Sequence, residues 1–280
     1  MQKIVFATDS ACDIPKAFLA DNNIAVLPYH ISFGDEDFID GVTINRDLLY
    51  KKAEETGMLP KTAAIAPAVF SEFFEELLQK GESVIYFSVG SRFSSACQNA
   101  TIAAAELENV YVVDTASLSS GEALMLLHAI ELSERGMDAA TIAKDCADFA
   151  AACDVSFVLD KLDYMHKGGR CSGTAALGAN LLGIKPCLGI SNGMLAMEKK
   201  YRGKPKVVIS KYIAERIAEN TPVSSYVFLT NSGVDADVLE AARTALEESH
   251  AFETIYEVDA GCVISSHCGP GTLGIIFVKK

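Results

Sequence analysis

Ser83-Val84-Ile85-Tyr86-Phe87-Ser88-Val89-Gly90-Ser91-Arg92-Phe93-Ser94-Ser95-Ala96 is the stretch that decides how this chain is built. Val84 to Phe87 are β-branched and aromatic with no polar residue among them, the composition of a strand covered on both faces of a parallel sheet. Ser88 to Ser91, with Gly90, breaks that run, and a helical pattern begins near Ser94 and continues through Ala100, Ala103, Ala104 and Ala105. A hydroxyl-rich turn therefore joins the carboxyl end of a strand to the amino end of a helix. Unpaired backbone N–H groups and the positive end of the helix dipole meet there, and both stabilise an anion. Ligands of open α/β sheets collect at such strand ends. Read alone, the stretch favours the plainer use of Ser94 or Ser95 as a helix cap.

Working outward, the first half alternates strand and helix. Residues 3–7 read as a strand ending in Thr8-Asp9-Ser10, 14–22 as a short helix, and 24–33 as a second strand that includes His30. A turn near Gly41 leads to a helix capped by Asn45, and residues 59–67 read as a loop with a proline near each end, which opens a helix over 68–80. After the central unit come a strand at 110–113 ending in Asp114 and two helices at about 118–135 and 138–152. Such alternation predicts a mainly parallel sheet flanked by helices. From about 157 the character changes. Lys167-Gly168-Gly169-Arg170 interrupts a short helical turn, a helix is expected over 173–182, and Asn192-Gly193 signals a hairpin between strands at 184–190 and 194–199. Helices at 204–220 and 236–249 alternate with strands at 223–230, 253–258 and 273–278, and Gly269-Pro270-Gly271 turns the chain into the last of them. The fold class expected is α/β, as two α/β domains, 1–156 with a parallel sheet and 157–280 with a mixed sheet, and the ligand between them.

The totals narrow the function classes. At 280 residues, half of them hydrophobic and 22% charged, the chain can bury a large core. Thirty-seven acids against 24 bases give a net charge of −13, with no basic stripe, which argues against nucleic acid as a partner. The eight cysteines form no Cys-x-x-Cys pair and no zinc-like spacing with histidine. Cys97, Cys146 and Cys187 sit in apolar stretches and read as reduced core thiols. No metal or cofactor is expected. Residue 3 already opens a strand and no apolar run approaches the ~20 residues of a membrane span, so a cytoplasmic protein is expected.

Three polar residues merit separate weighing. Asp9, at the end of the first strand, has the position of a base or a metal ligand, but with no second carboxylate beside it an Asx turn is the better reading. His30, alone in an apolar run, reads as a satisfied core residue. Thr62 lies in a proline-bounded loop just before a helix, one unit ahead of the Ser94 turn, so the two loops can share one rim of the sheet.

Segments in both halves now combine into an ordered set. Thr8-Asp9-Ser10 with Cys12-Asp13, Pro60-Lys61-Thr62, Phe93-Ser94 with Gln98-Asn99-Ala100, Asp114 and Gly121 come first. Leu162-Asp163-Tyr164, Lys167-Gly168-Gly169-Arg170, Ile184-Lys185-Pro186, Asn192-Gly193, Arg202-Gly203-Lys204 and His267 with Gly269-Pro270-Gly271 follow. In this order and over nearly all of its length the chain resembles the DegV family of bacterial fatty-acid-binding proteins, some of which carry the acyl group for fatty acid kinase. The resemblance implies that Thr62 and Ser94 hydrogen-bond the carboxylate of a bound long-chain fatty acid, such as a C14–C18 acid. It places His267 close to that carboxylate and gives Arg170 and Arg202 to docking of a separate kinase subunit, with a transient membrane-surface contact admitted. An ordinary surface ion pair is the plainer role for each arginine, and a hydrogen bond to the Gly-Pro-Gly turn is the plainer role for His267. The chain departs from the family pattern at Ala63, Ala66 and Ala96, where the family commonly has hydroxyl residues, so fewer donors surround the head group.

The implied chemistry is physically coherent. Hydrogen bonds to a carboxylate contribute about 1.5–3 kcal/mol each before desolvation. Burying fourteen or so methylenes at ~0.8 kcal/mol each contributes on the order of 11 kcal/mol, so the tail sets affinity and the head sets orientation. The expected function is a non-catalytic lipid carrier, since no P-loop, Gly-x-Ser-x-Gly elbow or metal triad is present. The alternatives are a hydrolase or acyltransferase using Ser94 and His267 and a lipid-responsive sensor; the first needs Ser94 bonded to the imidazole and an acid behind it.

Overall fold

The structure is a computed structural model that describes residues 2–171 and 183–280; the helix expected over 173–182 lies outside them. In chain order the elements of the first half are β1 (Ile4–Asp9), α1 (Lys16–Asp21), β2 (Ala25–Leu27), β3 (His30–Phe33), β4 (Glu36–Ile39), α2 (Arg46–Thr56), β5 (Lys61–Ala63) and α3 (Pro67–Leu78). They continue with β6 (Ser83–Ser88), α4 (Ala96–Ala104), β7 (Val110–Asp114), α5 (Ser120–Glu134) and α6 (Ala139–Phe149). The second half comprises β8 (Cys153–Val158), α7 (Asp163–Gly168), β9 (Ile184–Ser191), β10 (Met194–Arg202), α8 (Pro205–Glu219) and β11 (Tyr226–Ser232). It ends with α9 (Ala236–Ser249), β12 (Thr254–Asp259), α10 (Cys262–Cys268) and β13 (Thr272–Val278).

The fold is α/β, as expected, with a parallel sheet flanked by helices and a separate mixed sheet. The parallel sheet has the order β2-β1-β6-β7. All six residues of β6 are buried, which is why its sequence shows no polar alternation. The mixed sheet has the order β10-β9-β8-β13-β11-β12, with only β11 and β12 parallel. The Asn192-Gly193 signal is the β9–β10 hairpin, with Met194 opposite Ser191. The division expected between 156 and 157 falls inside β8, whose six residues all pair with β13 and whose last three pair with β9.

Helix α5 joins the two sheets. Ala123 to Leu126 and Ala129 are buried in one apolar cluster with Phe6, Ile85 and Phe87 of the parallel sheet and Val155, Phe228 and Ile276 of the mixed one. The opposite face of the parallel sheet packs Tyr86 and Val84 against Phe70, Phe74 and Leu77 of α3. Cys97, Cys146 and Cys187 are buried free thiols, as their apolar surroundings predict.

Three expectations about the first half are corrected. The single strand expected over 24–33 is two strands in different sheets. Pro28 has no N–H to donate to a ladder and ends β2, and β3 resumes beyond it in a three-stranded antiparallel sheet of order β4-β3-β5. The proline-bounded loop contains β5, which sets Thr62 opposite Ile31. His30 is exposed on that small sheet and bonded to Asp37, not a core residue.

Candidate functional site

The strand order of the parallel sheet reverses between β1 and β6, since β1 leads to β2 on one side and β6 leads to β7 on the other. Their carboxyl ends form the crevice where ligands of such sheets bind. Asp9, at the end of β1, is fully buried and holds this corner together. Its Oδ1 accepts the Ala11 N–H at 2.9 Å, and its Oδ2 accepts the Tyr86 hydroxyl at 2.9 Å and the Val89 N–H at 3.2 Å. Burial pushes its carboxyl up to about 6, against the pull of those three donors. Asp9 thus has the structural role that its Asx-turn sequence suggested. Beyond β6, Gly90 accepts no side chain because a Cβ there would lie 2.9 Å from the backbone of Ala116 and Ser117. That close approach fixes the path of the Ser91–Ser95 turn.

Ser94 precedes the helix it was expected to open, since α4 starts at Ala96. Its Oγ accepts the Ala96 N–H at 3.1 Å, whereas Ser95, at the N-cap position, makes no side-chain cap bond. The Tyr29 hydroxyl lies 3.3 Å from the same oxygen. Either hydroxyl can be the donor; the Ala96 N–H already occupies one lone pair of Ser94, and with Tyr29 as donor the second is filled as well. Ser94 then receives two hydrogen bonds and keeps its own hydrogen for a third group.

Thr62 is reached from the other half of the chain. His267, at the carboxyl end of α10, sets its Nε2 2.9 Å from Thr62 Oγ1. Burial, with the Arg170 guanidinium as a lesser cause, pulls the imidazole down to about 4, so it is neutral at pH 7. Its Nδ1 is buried with no partner among the described residues, close beneath Gly168, where a Cβ would approach to 2.7 Å. A buried N–H without an acceptor is rarer and costlier than an unused lone pair. The proton therefore sits on Nε2 and is donated to Thr62, which again leaves the threonine's own hydrogen free. Arg170 is exposed and donates to the carbonyls of Gly168 (2.7 Å) and Phe93 (3.3 Å), tying the end of α7 to the Ser94 turn. It makes no ion pair with a carboxylate among the described residues.

These groups share one cavity of about 500 Å³ that draws its walls from both halves. Tyr29, Thr62, Ser94, His267 and Arg170 all line it, together with the exposed Arg92. Val155, Phe157, Leu195, Val263 and Ile276 supply an apolar wall, while Ser119 and Thr230 add polar groups toward the first turn of α10. The volume lies within the range of small-molecule sites, about 300–1,000 Å³. Four of the five residues expected at the site therefore meet, and Arg202 does not. It is exposed at the end of β10 opposite Ile184 and is not part of the cavity wall. Sequence reasoning missed Tyr29, whose signal is Pro28 immediately before it, breaking the apolar run. It also missed Ser119 and Thr230, whose partners lie far away in sequence. Among the described residues no cluster of His, Cys, Asp and Glu could hold a metal ion, and no helix is long and apolar enough to cross a membrane.

Comparison with known proteins agrees with this architecture over its whole extent. The model of the DegV family, described as an uncharacterised protein family, matches residues 3–280. A DegV domain-containing protein of Clostridium acetobutylicum is 30% identical over 283 residues, covering 100% of each chain. One of Clostridium perfringens is also 30% identical, over 285 residues and 100% of each. Among solved structures, a DegV family protein of Thermus thermophilus described as fatty-acid-binding superposes with a TM-score of 0.90 at 27% identity, covering 99% of this chain and 100% of that one. A Thermotoga maritima protein described as revealing a fatty acid binding function does so at 0.84 and 28%, with the same coverage. With the family model matching residues 3–280 and two relatives 30% identical over their whole length, the chain belongs to the DegV family.

Proposed function

We propose that the cavity binds a long-chain fatty acid, such as a C14–C18 acid, and that the protein is a carrier that presents the acid's carboxylate to a separate kinase. The observation that carries this reading is that Thr62 and Ser94, in contact with His267 and Tyr29, line one cavity with an extended apolar wall. An ionised carboxylate only accepts hydrogen bonds, so two neutral donors held by His267 and Tyr29 match it. The exposed Arg92 and Arg170 add positive charge at the mouth. Related structures described as fatty-acid-binding support the ligand class. The hydrolase alternative has less support, because His267 bonds Thr62 while Ser94 bonds Tyr29 and Ala96.

Arg170, beside the head group, and Arg202, away from the cavity, would form the docking surface for the kinase. Native mass spectrometry of the purified protein tests the ligand, with a co-purifying C14–C18 acid expected and an empty or nucleotide-loaded protein contradicting it. Ester turnover abolished by Ser94→Ala would favour the hydrolase. For docking, Arg202→Ala is expected to bind the acid normally and to fail in supporting its phosphorylation; loss of lipid binding itself would refute that division of roles.

A further inference from the structure

The cavity has a second polar end, and its hydrogen-bond polarity is opposite to that of the first. Ala260, Val263, Ile264, His267 and Cys268 all line the cavity, so it runs along one face of α10. From His267 back to Gly261 is six residues, or about 9 Å at the rise of a helix. At the Gly261 end the buried carboxylate of Asp13 accepts the Gly261 N–H at 2.7 Å and the Ser119 hydroxyl. Ser120 donates its hydroxyl to the Asp13 carbonyl at 2.8 Å and lies 2.7 Å from Thr230 Oγ1. Ser119 and Thr230 both line the cavity and are otherwise buried, at 4% and 7% exposure.

The hydrogens can be assigned one by one. Ser119 has spent its hydrogen on Asp13. Ser120 has spent its hydrogen on the Asp13 carbonyl, so the hydrogen between Ser120 and Thr230 comes from Thr230. Two oxygens are left at this end of the cavity with lone pairs and no hydrogens. Each oxygen already has one partner, Asp13 for Ser119 and Ser120 for Thr230, and a plain hydrocarbon tail leaves their remaining lone pairs unused. A ketone brings only another acceptor. A hydroxyl brings a donor.

We infer that Ser119 and Thr230 recognise a hydroxyl on the distal part of the acyl chain, so that the preferred ligand is a hydroxylated long-chain fatty acid. The inference rests on the fatty-acid reading of the cavity and refines it. A neutral hydrogen bond at a buried site is worth roughly three- to ten-fold in affinity.

The test is a set of dissociation constants at pH 8 for delipidated protein with stearate, 10- and 12-hydroxystearate, 12-oxostearate and 2-hydroxystearate. At least one of the two mid-chain hydroxy acids should bind about three- to ten-fold tighter than stearate. The oxo acid, and the acid with its hydroxyl beside the carboxylate, should show no such gain. In Thr230→Val the ratio of hydroxystearate to stearate affinity should fall to about one, whereas Thr230→Ser, which keeps the oxygen, should preserve it. Wild-type affinities equal across the series, or a preference that survives Thr230→Val and Ser119→Ala, would overturn the inference without touching the fatty-acid reading. If no acid binds, stearate included, both are overturned.

Discussion

Thr62 and Ser94 at one end of the cavity and Ser119 and Thr230 at the other are the same functional group, yet they present opposite faces to a ligand. At the His267 end the neighbours are donors: the imidazole Nε2–H bonds Thr62, and the Tyr29 hydroxyl bonds Ser94. The alcohols there have accepted their share and keep a hydrogen to give. At the Asp13 end the neighbours are acceptors, a carboxylate and a carbonyl, and the alcohols have given their hydrogens away. A hydroxyl carries no fixed polarity of its own. The group behind it decides whether it reads an acid or an alcohol, so the site is specified as much by residues one layer back as by those at the wall.

The largest effect should come from removing both donors at the His267 end. Each hydrogen bond to a carboxylate is worth about 1.5–3 kcal/mol, or roughly ten- to a hundred-fold in affinity. Thr62→Ala and Ser94→Ala should each weaken fatty-acid binding by about ten-fold or more, and the double variant by about a hundred-fold or more. Isothermal titration with stearate measures this. An unchanged double variant would show that the carboxylate lies elsewhere, and the contrast between the two ends would then be a contrast without a function. The same loss should apply to hydroxylated and plain acids alike, whereas substitutions at the Asp13 end alter the ratio between them.

A smaller effect should follow from pressing on His267 without touching it. Gly168→Ala places a methyl 2.7 Å from the imidazole Nδ1, inside any normal contact distance. The ring must turn, and the Nε2–H bond to Thr62 lengthens or breaks. Thr62 is then free to spend its hydrogen on the ring or on solvent. Gly168→Ala should therefore cost several-fold in affinity for stearate while leaving the hydroxystearate-to-stearate ratio as in the wild type. Titration of both acids against one preparation decides it, and an altered ratio would mean that the two ends are not independent.

The two ends differ also in how far the sequence discloses them. Ser94 is legible because its setting is local: an apolar strand, a glycine-containing turn and an alanine-rich helix within eighteen residues. Thr62 is visible as a polar residue before a helix, although the strand it occupies is not, since β5 exists only by pairing with a β3 that Pro28 has cut off from β2. His267 and Arg170 enter through the family resemblance and not through any local pattern. The Asp13 end has no local signal at all. Asp13 meets Ser119 across 106 positions, Ser120 meets Thr230 across 110, and Gly261 meets Asp13 across 248. Ser119 and Ser120 read as the start of a helix and Thr230 as the end of a strand, and neither reading places them at a site. Their convergence depends on α5 being held between two sheets, which no stretch of a few residues specifies.

The smallest expected effect concerns pH, and it separates the two ends by sign. Burial, assisted by the charges of Asp40 and Asp259, pushes the Asp13 carboxyl up to about 7 against its two hydrogen bonds. Asp9 is raised to about 6, and burial raises the neighbouring Glu122 well above the ordinary range. A carboxyl raised in the folded state contributes stability at low pH that is lost as pH rises through its folded value. The imidazole at the other end is depressed to about 4, so its contribution is present above its ordinary 6.5 and lost as pH falls toward 4. Between pH 8 and about 6.5 these raised carboxyls favour the folded state increasingly on acidification, and the melting temperature should rise by a few degrees. Below about 6.5 the histidine opposes the trend and the rise should level off. Asp13→Asn should remove part of the slope between pH 8 and 6 and leave the part due to Asp9 and Glu122. Thermal melts across that range measure it, and a melting temperature that falls steadily from pH 8 to 6 would mean that these carboxyls are not held protonated by the fold. Protonated Asp13 can itself donate to Ser119, which frees the serine's hydrogen. On acidification the discrimination between hydroxystearate and oxostearate should therefore narrow, while the grip of Thr62 and Ser94 on the carboxylate stays unchanged until His267 begins to take up its proton.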